Sequence, residues 1–164
     1  MAHPRPLHRP LCCAVLTVSD TRTPETDQSG ALIQAGLRES GYQVADYRLV
    51  ADEPAMIRDL IGQWGQREDL DAVIVNGGTG IAPRDTTYDA LEAILEKTLP
   101  GFGELFRQLS FQEIGSRALA SRAVAGVYCG KVLFSLPGSS KAVNLAMEAL
   151  ILPELPHLVS LLRG

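Results

Sequence analysis

Three short apolar runs, "LCCAVLTVS" from residue 11, "YQVADYRLV" from residue 42 and "DAVIVN" from residue 71, alternate with stretches whose apolar residues recur at helical spacing. That rhythm constrains this chain more than any other feature, because strands joined through helices on both faces build a parallel sheet. The first run is almost continuously apolar, the pattern of a strand covered on both sides. "ALIQAGLRES" reads as the first helix, with Gly41 as its C-terminal stop. "AMIRDLIGQWGQ" puts Met56, Ile57, Leu60, Ile61 and Trp64 on one helical face, with Pro54 early in that helix. "YDALEAIL" predicts a third.

From residue 100 the rhythm changes. "GFGELFRQLSFQEIG" is helical in pattern, and "AVAGVYCGKVLFSLPG" holds two β-rich runs about Gly130, which predict a hairpin and so an antiparallel member in a mostly parallel, mixed sheet. "SSKAVNLAMEALILPEL" closes the chain as an amphipathic helix through Val143, Ala146, Ala149 and Leu150. The fold class expected is α/β. With no linker, charge block or repeat, residues 11–164 are expected to form one domain behind a mobile tail over residues 1–10.

Composition excludes several classes. A net charge of -4 makes a poor electrostatic partner for duplex nucleic acid, and no such partner is expected. The cysteines number 3, an odd count with Cys12 and Cys13 adjacent, which is no disulfide framework. On one strand those two would point to opposite faces and serve as small core residues. No secretion signal is read at the start and no stretch approaching transmembrane length elsewhere, so the expectation is a cytoplasmic protein without a membrane partner.

Four unusual stretches follow predicted strands: "SDTRTPETDQSG", "ADE", "GGTGIAPRD" and "LPGSSK". Ligands of open α/β sheets bind beyond the strand C-termini, where loops converge and helix N-termini expose free N–H groups. The glycines of "GGTG" allow a backbone nest for an anion, or equally a tight turn. A dinucleotide fingerprint fails because Pro83 stands where its third glycine belongs, and no Walker lysine follows. Asp85 has two readings, a cap for the next helix or a metal ligand, and Asp52 in "ADEP" has the same two. Sharing a rim with the glycine loop favours the ligand reading, since two hard oxygen ligands with open water positions suit Mg2+. In "LPGSSK", Pro137 and Gly138 make a turn, Ser139 and Ser140 offer hydroxyls near a helix start, and Lys141 offers a mobile positive charge. His3, His8 and His157 are scattered and form no zinc site.

With these residues assembled, the chain resembles the MoaB/Mog family of molybdenum cofactor biosynthesis proteins. "LTVSDTR", "DQSG", "GGTGIAPRDTT", "PGFGELFRQLSFQEIGSRALASRAVAG" and "LPGSSKA" carry the likeness, in this order from about Leu11 to the end, and "FGELFRQLSFQEIG" with "LPGSSKA" resembles the MoaB branch more closely. The resemblance implies a three-layer α/β/α sandwich assembled as a homotrimer or as a hexamer of two trimers. It implies molybdopterin as ligand and, in active members, adenylylation of its phosphate by ATP with Mg2+, releasing pyrophosphate; the product passes to the molybdate-insertion enzyme. Matched onto this sequence, the nucleotidyl-transfer acids are Asp52 and Asp85, which are also the expected Mg2+ ligands. The substrate-binding set takes Ser19, Asp20, Asp27, Ser29 and Gly30 after the first strand, and Gly77, Gly78, Thr79 and Gly80 in the glycine loop. Ser110, Ser121, Pro137, Gly138, Ser139 and Ser140 complete it, and Lys141, which the family does not assign, joins them as the cation expected to neutralise pyrophosphate. Ser140 stands where many Mog-type loops have proline. The rivals are a noncatalytic molybdopterin-binding or assembly protein, a detached relative of the insertion domain, and an unrelated nucleotide-binding domain.

Overall fold

The computed structural model describes residues 8–164, so most of the expected tail, residues 1–7, lies outside the described residues. Strands β1 (Cys12–Val18), β2 (Gln43–Val50), β3 (Ala72–Asn76), β4 (Lys97–Thr98), β5 (Val124–Tyr128) and β6 (Lys131–Leu136) form a single sheet in the order β2-β1-β3-β6-β5-β4. The first, second, third and sixth are parallel, while β5 pairs antiparallel with β6 and with β4. The hairpin about Gly130 is therefore present, and the sheet is mixed as its sequence predicts. The two-residue β4 is too short to leave a periodic signal and went unanticipated.

Side chains alternate across the pleat, so the sheet has two cores. Cys13, Val15, Ile74 and Phe134 meet Ile33 and Leu37 of α1 (Gln28–Glu39), Phe106 of α4 (Pro100–Ile114), and the C-terminal helices α5 (Ser140–Ala146) and α6 (Leu152–Leu162). Cys12, Ala14, Leu16, Val73 and Leu133 meet Ile57, Ile61 and Trp64 of α2 (Pro54–Gly65) and Leu91 of α3 (Thr87–Ile94). This is the three-layer α/β/α sandwich, with Cys12 and Cys13 on opposite faces. Every residue of β1 is buried because neighbouring strands flank it and helices cover both its faces; β2, at the edge, alternates between half-buried and exposed.

Two boundaries moved for physical reasons. Helix α1 begins earlier than its apolar spacing suggests, because the Asp27 carboxylate accepts a hydrogen bond from the Gly30 amide at 2.9 Å and supplies the N-cap. The last helix is a correction: Ser140–Leu162 runs 23 residues through a π-helical turn at Met147–Ile151, long and apolar enough to cross a membrane by length and composition. The apolar count from the sequence stopped at Leu155 and so missed this length. Its inner face, Val143, Ala146, Ile151, Leu155 and Val159, is spent on the first core, which explains the hydropathy.

Opposite the strand C-termini, Asp71 ties the two ends of the described chain. Its buried carboxylate accepts from the Cys12 amide at 2.9 Å, from Arg9 at 2.8 and 3.2 Å, and from the Arg163 guanidinium. The carboxylate is buried but the Arg9 and Arg163 side chains are 42% and 40% exposed, so its removal costs the Cys12 amide its partner and two solvent-screened ion pairs, about 2 kcal/mol in all. Asp71→Ala should lower unfolding free energy in urea by about that much, whereas a loss below about 0.5 kcal/mol would mean that the cluster contributes no more than a surface pair.

Candidate functional site

The four stretches singled out in the sequence leave β1, β2, β3 and β6 at one end of the parallel part of the sheet. The chain goes from β1 outward to β2 and then back past β1 to β3, so the direction of winding reverses between β1 and β3. Loops diverge at such a switch point and leave a crevice. Here the crevice is a cavity of about 450 Å³. Its floor is the glycine loop, Gly77 to Gly80; its walls bring Ser19, Thr21 and Arg22 after β1, Pro137 and Gly138 after β6, Arg117, Ala120 and Ser121 after α4, and Asp85.

Each of Gly77, Gly78 and Gly80 lies close against one of the protein's own groups. At Gly77 (φ 100°) a side chain would strike the Val18 carbonyl oxygen at the end of β1. At Gly78 (φ 66°) a Cβ would meet the Thr87 hydroxyl and lie 2.6 Å from a carboxylate oxygen of Asp52. At Gly80 it would lie 2.5 Å from a carboxylate oxygen of Asp85. The two acids thus press against the loop on either side of the buried Thr79. Among the described residues the amides of Gly78, Thr79 and Gly80 donate to no protein group.

The capping roles are the reverse of the simplest expectation. Asp52 does not cap α2, whose N-cap is Glu53 without a side-chain bond. It reaches instead to the start of α3, accepting from the Thr86 hydroxyl at 2.7 Å, the Thr87 hydroxyl at 3.1 Å and the Thr86 amide at 3.3 Å. Among the described residues Asp85 accepts only from the Ala82 amide, at 3.0 Å within its own turn, and it lines both the main cavity and a neighbouring one of about 340 Å³. Asp85 therefore has an oxygen to offer a ligand, while Asp52 is buried and largely engaged. Asp20 sits on the rim, its carboxyl held below the usual carboxylate range first by the Asp52 amide and then by Arg84.

Other expected residues act at a remove. Asp27 is buried, holding the Gly30 amide and the Tyr47 hydroxyl, which donates at 2.5 Å; burial first and this bond second push the Tyr47 phenol well above its ordinary value. Ser29 donates to the Gly138 carbonyl at 2.6 Å and so fixes a cavity wall from outside. Ser139 caps α5 by accepting from the Ala142 amide at 3.2 Å, and Ser140 begins that helix. Ser110 is buried in α4, and Lys141 is exposed on α5; neither lines the cavity. Sequence reasoning missed the arginines. Arg22 donates to the Gly138 carbonyl at 2.9 Å and Arg122 to the carbonyls of Thr79 and Gly80 at 3.0 and 2.7 Å, while Arg117 lines the cavity directly. Arg22 and Arg122 stand inside the quoted stretches, but nothing in their spacing marks them as loop supports.

A three-layer α/β sandwich with a glycine-floored crevice at its switch point defines the class: an open α/β protein whose candidate ligand site lies beyond the strand C-termini. The family profile described as "Probable molybdopterin binding domain" matches residues 14–157. Molybdenum cofactor biosynthesis protein B of Halalkalibacterium halodurans is 55% identical over 148 residues, covering 90% of this chain and 87% of that protein. A crystal structure of a molybdenum cofactor biosynthesis protein B superposes with TM-score 0.92 at 48% identity, over 96% of this chain and 99% of the other. MogA superposes with TM-score 0.78 at 26% identity, over 90% and 99%. The chain belongs to the MoaB/Mog family of molybdenum cofactor biosynthesis proteins, on the MoaB side.

The glycine contacts separate two substitutions. Gly78→Ala combines a positive φ with a collision against Thr87 and Asp52, and should cost about 2–3 kcal/mol of stability. Gly80→Ala meets only the movable tip of Asp85 and should cost under about 1 kcal/mol. Thermal melts of the two variants compare them directly, and equal losses would refute the assigned contacts.

Proposed function

We propose that the protein adenylylates molybdopterin, using ATP and Mg2+ and releasing pyrophosphate. The observation that carries this reading is the cavity floored by unpaired loop amides with Asp85 on its wall, a combination that suits phosphate oxygens arriving with a cation. A phosphate oxygen of molybdopterin attacks the α-phosphorus of ATP; the new P–O bond forms as the bond to the pyrophosphate oxygen breaks. Such chemistry depends on positioning and charge neutralisation more than on a protein nucleophile. The amides of Gly78, Thr79 and Gly80 hold phosphate oxygens, and Ser19, Ser121 and the Pro137–Gly138 turn bound the same space.

The donor set fits Mg2+ that is shared with substrate rather than caged by protein. Among the described residues no group of three or more His, Cys, Asp or Glu side chains is placed to hold a metal. Asp85 would hold the ion directly, and Asp52 would do so through its less engaged oxygen or a water. Bound there, Mg2+ offsets the negative charge that develops on the phosphates.

A protein that binds molybdopterin without chemistry is the second reading, favoured by the hydrogen bonds that already occupy Asp52. The first reading assigns the protein to the cytoplasm, in three or six copies, with its product passing to the molybdate-insertion enzyme.

Purified protein given molybdopterin, ATP and Mg2+ should release pyrophosphate. Asp85→Asn should slow release at least about 100-fold while leaving molybdopterin affinity within about 3-fold, since a lost metal ligand spares ground-state pterin contacts. Normal pterin binding without pyrophosphate in the unmodified protein would select the second reading, and an unimpaired Asp85→Asn variant would refute the metal assignment. Sedimentation equilibrium should return three or six chains.

A further inference from the structure

We infer that Arg117 is the cation that holds the outer phosphate of a polyphosphate bound on the glycine loop. The inference rests on the adenylylation reading only for the anionic character of the ligand.

The other arginines near the cavity are committed. Arg22 bonds Ser29 and Gly138 and stands 3.7 Å from the buried Asp27, so its charge is answered within the fold. Arg84 bridges Asp20 and Glu53 at 2.9 and 3.0 Å. Arg122 bonds two loop carbonyls and Asp89, and lies 4.6 Å over the Tyr88 ring. Arg107 is aimed at the carbonyls of Ser121 and Ala123, at 3.5 Å.

Arg117 is different. It lines the cavity with the glycine loop, is exposed, and among the described residues has neither a hydrogen bond nor an ion pair. Its backbone is nonetheless fixed: it belongs to the 3-10 turn Gly115–Ala120, anchored by the buried Ala118, whose carbonyl accepts from the Ser121 amide at 3.0 Å. A fixed base with a free guanidinium is suited to closing on a tetrahedral anion, for which arginine's planar fork of donors is shaped. Electrostatics points the same way. With Arg22 neutralised by Asp27, the cavity wall without Arg117 would oppose an incoming anion with the charge of Asp85 alone. Lys141, the cation expected for this task from sequence, lies outside the wall, and Arg117 takes its place.

The test is calorimetric titration of the full chain with inorganic pyrophosphate, ATP and AMP, at about 50 mM and about 300 mM salt. Arg117→Ala should weaken pyrophosphate and ATP about 5-fold at low salt, with a smaller loss at high salt and little change for AMP. Arg117→Lys should recover part of the loss, which a packing role would not. Arg38→Ala, an exposed change on the last turn of α1 that removes the same single charge, controls for net charge and should leave all three affinities unaltered. Equal pyrophosphate affinity in Arg117→Ala and the unmodified protein overturns the assignment, as does no measurable pyrophosphate binding or an equal loss for AMP. Pyrophosphate release from molybdopterin and ATP by a variant with unaltered anion affinity would reject Arg117 and leave adenylylation standing. Anion binding that depends on Arg117 in a protein that releases no pyrophosphate would do the opposite.

Discussion

The site depends on one crowded junction, where the Asp52 carboxylate receives the hydroxyls of Thr86 and Thr87 directly beneath Gly78. Asp52 leaves the end of β2, yet its partners begin the helix that follows β3, so the contact reaches across the end of β1. It binds two turns of the winding together at the point where they part. A buried carboxylate is tolerated only when its oxygens are occupied, and the two threonines with the Thr86 amide occupy them. The consequence falls on the neighbouring loop, which has room for backbone and nothing more.

Around that junction the arginines act as scaffolding as well as charge. Arg122 draws the carbonyls of Thr79 and Gly80 toward itself, and because a trans peptide points its carbonyl and the next amide in opposite directions, the amides of Gly80 and Ile81 turn away from Arg122. Arg84 joins the loops after β1, β2 and β3 through Asp20 and Glu53, and Arg22 with Ser29 ties the loop after β6 to the loop after β1. The floor and walls are therefore held by side chains whose hydrogen bonds go to the protein itself. Preorganisation of this kind lets backbone donors stay unpaired without collapsing onto one another.

Much of this architecture could be read from the chain. The apolar runs located the central parallel strands, Pro54 marked a helix start, and Gly130 marked the hairpin, because each reports a local rule about period or backbone geometry. The place of the candidate crevice was also legible, since all four polar stretches leave strand C-termini. The tiny edge strand β4 and the full length of the last helix were not, because their formation depends on neighbours rather than on their own pattern.

Sequence by itself determined the fold class, the order of layers through the family it matches, and the rim on which a ligand would be held. Tertiary structure alone decided what each rim residue does. Asp52 and Asp85 look interchangeable as acids before helices, yet one is buried under the threonines of α3 and the other is open to two cavities. The glycines that suggested room for a phosphate are, first, room for Val18, Asp52, Thr87 and Asp85. Of Arg117 and Lys141, Arg117 alone lines the cavity, because charge is visible in a sequence but the direction in which a side chain can reach is set by the turn or helix that carries it.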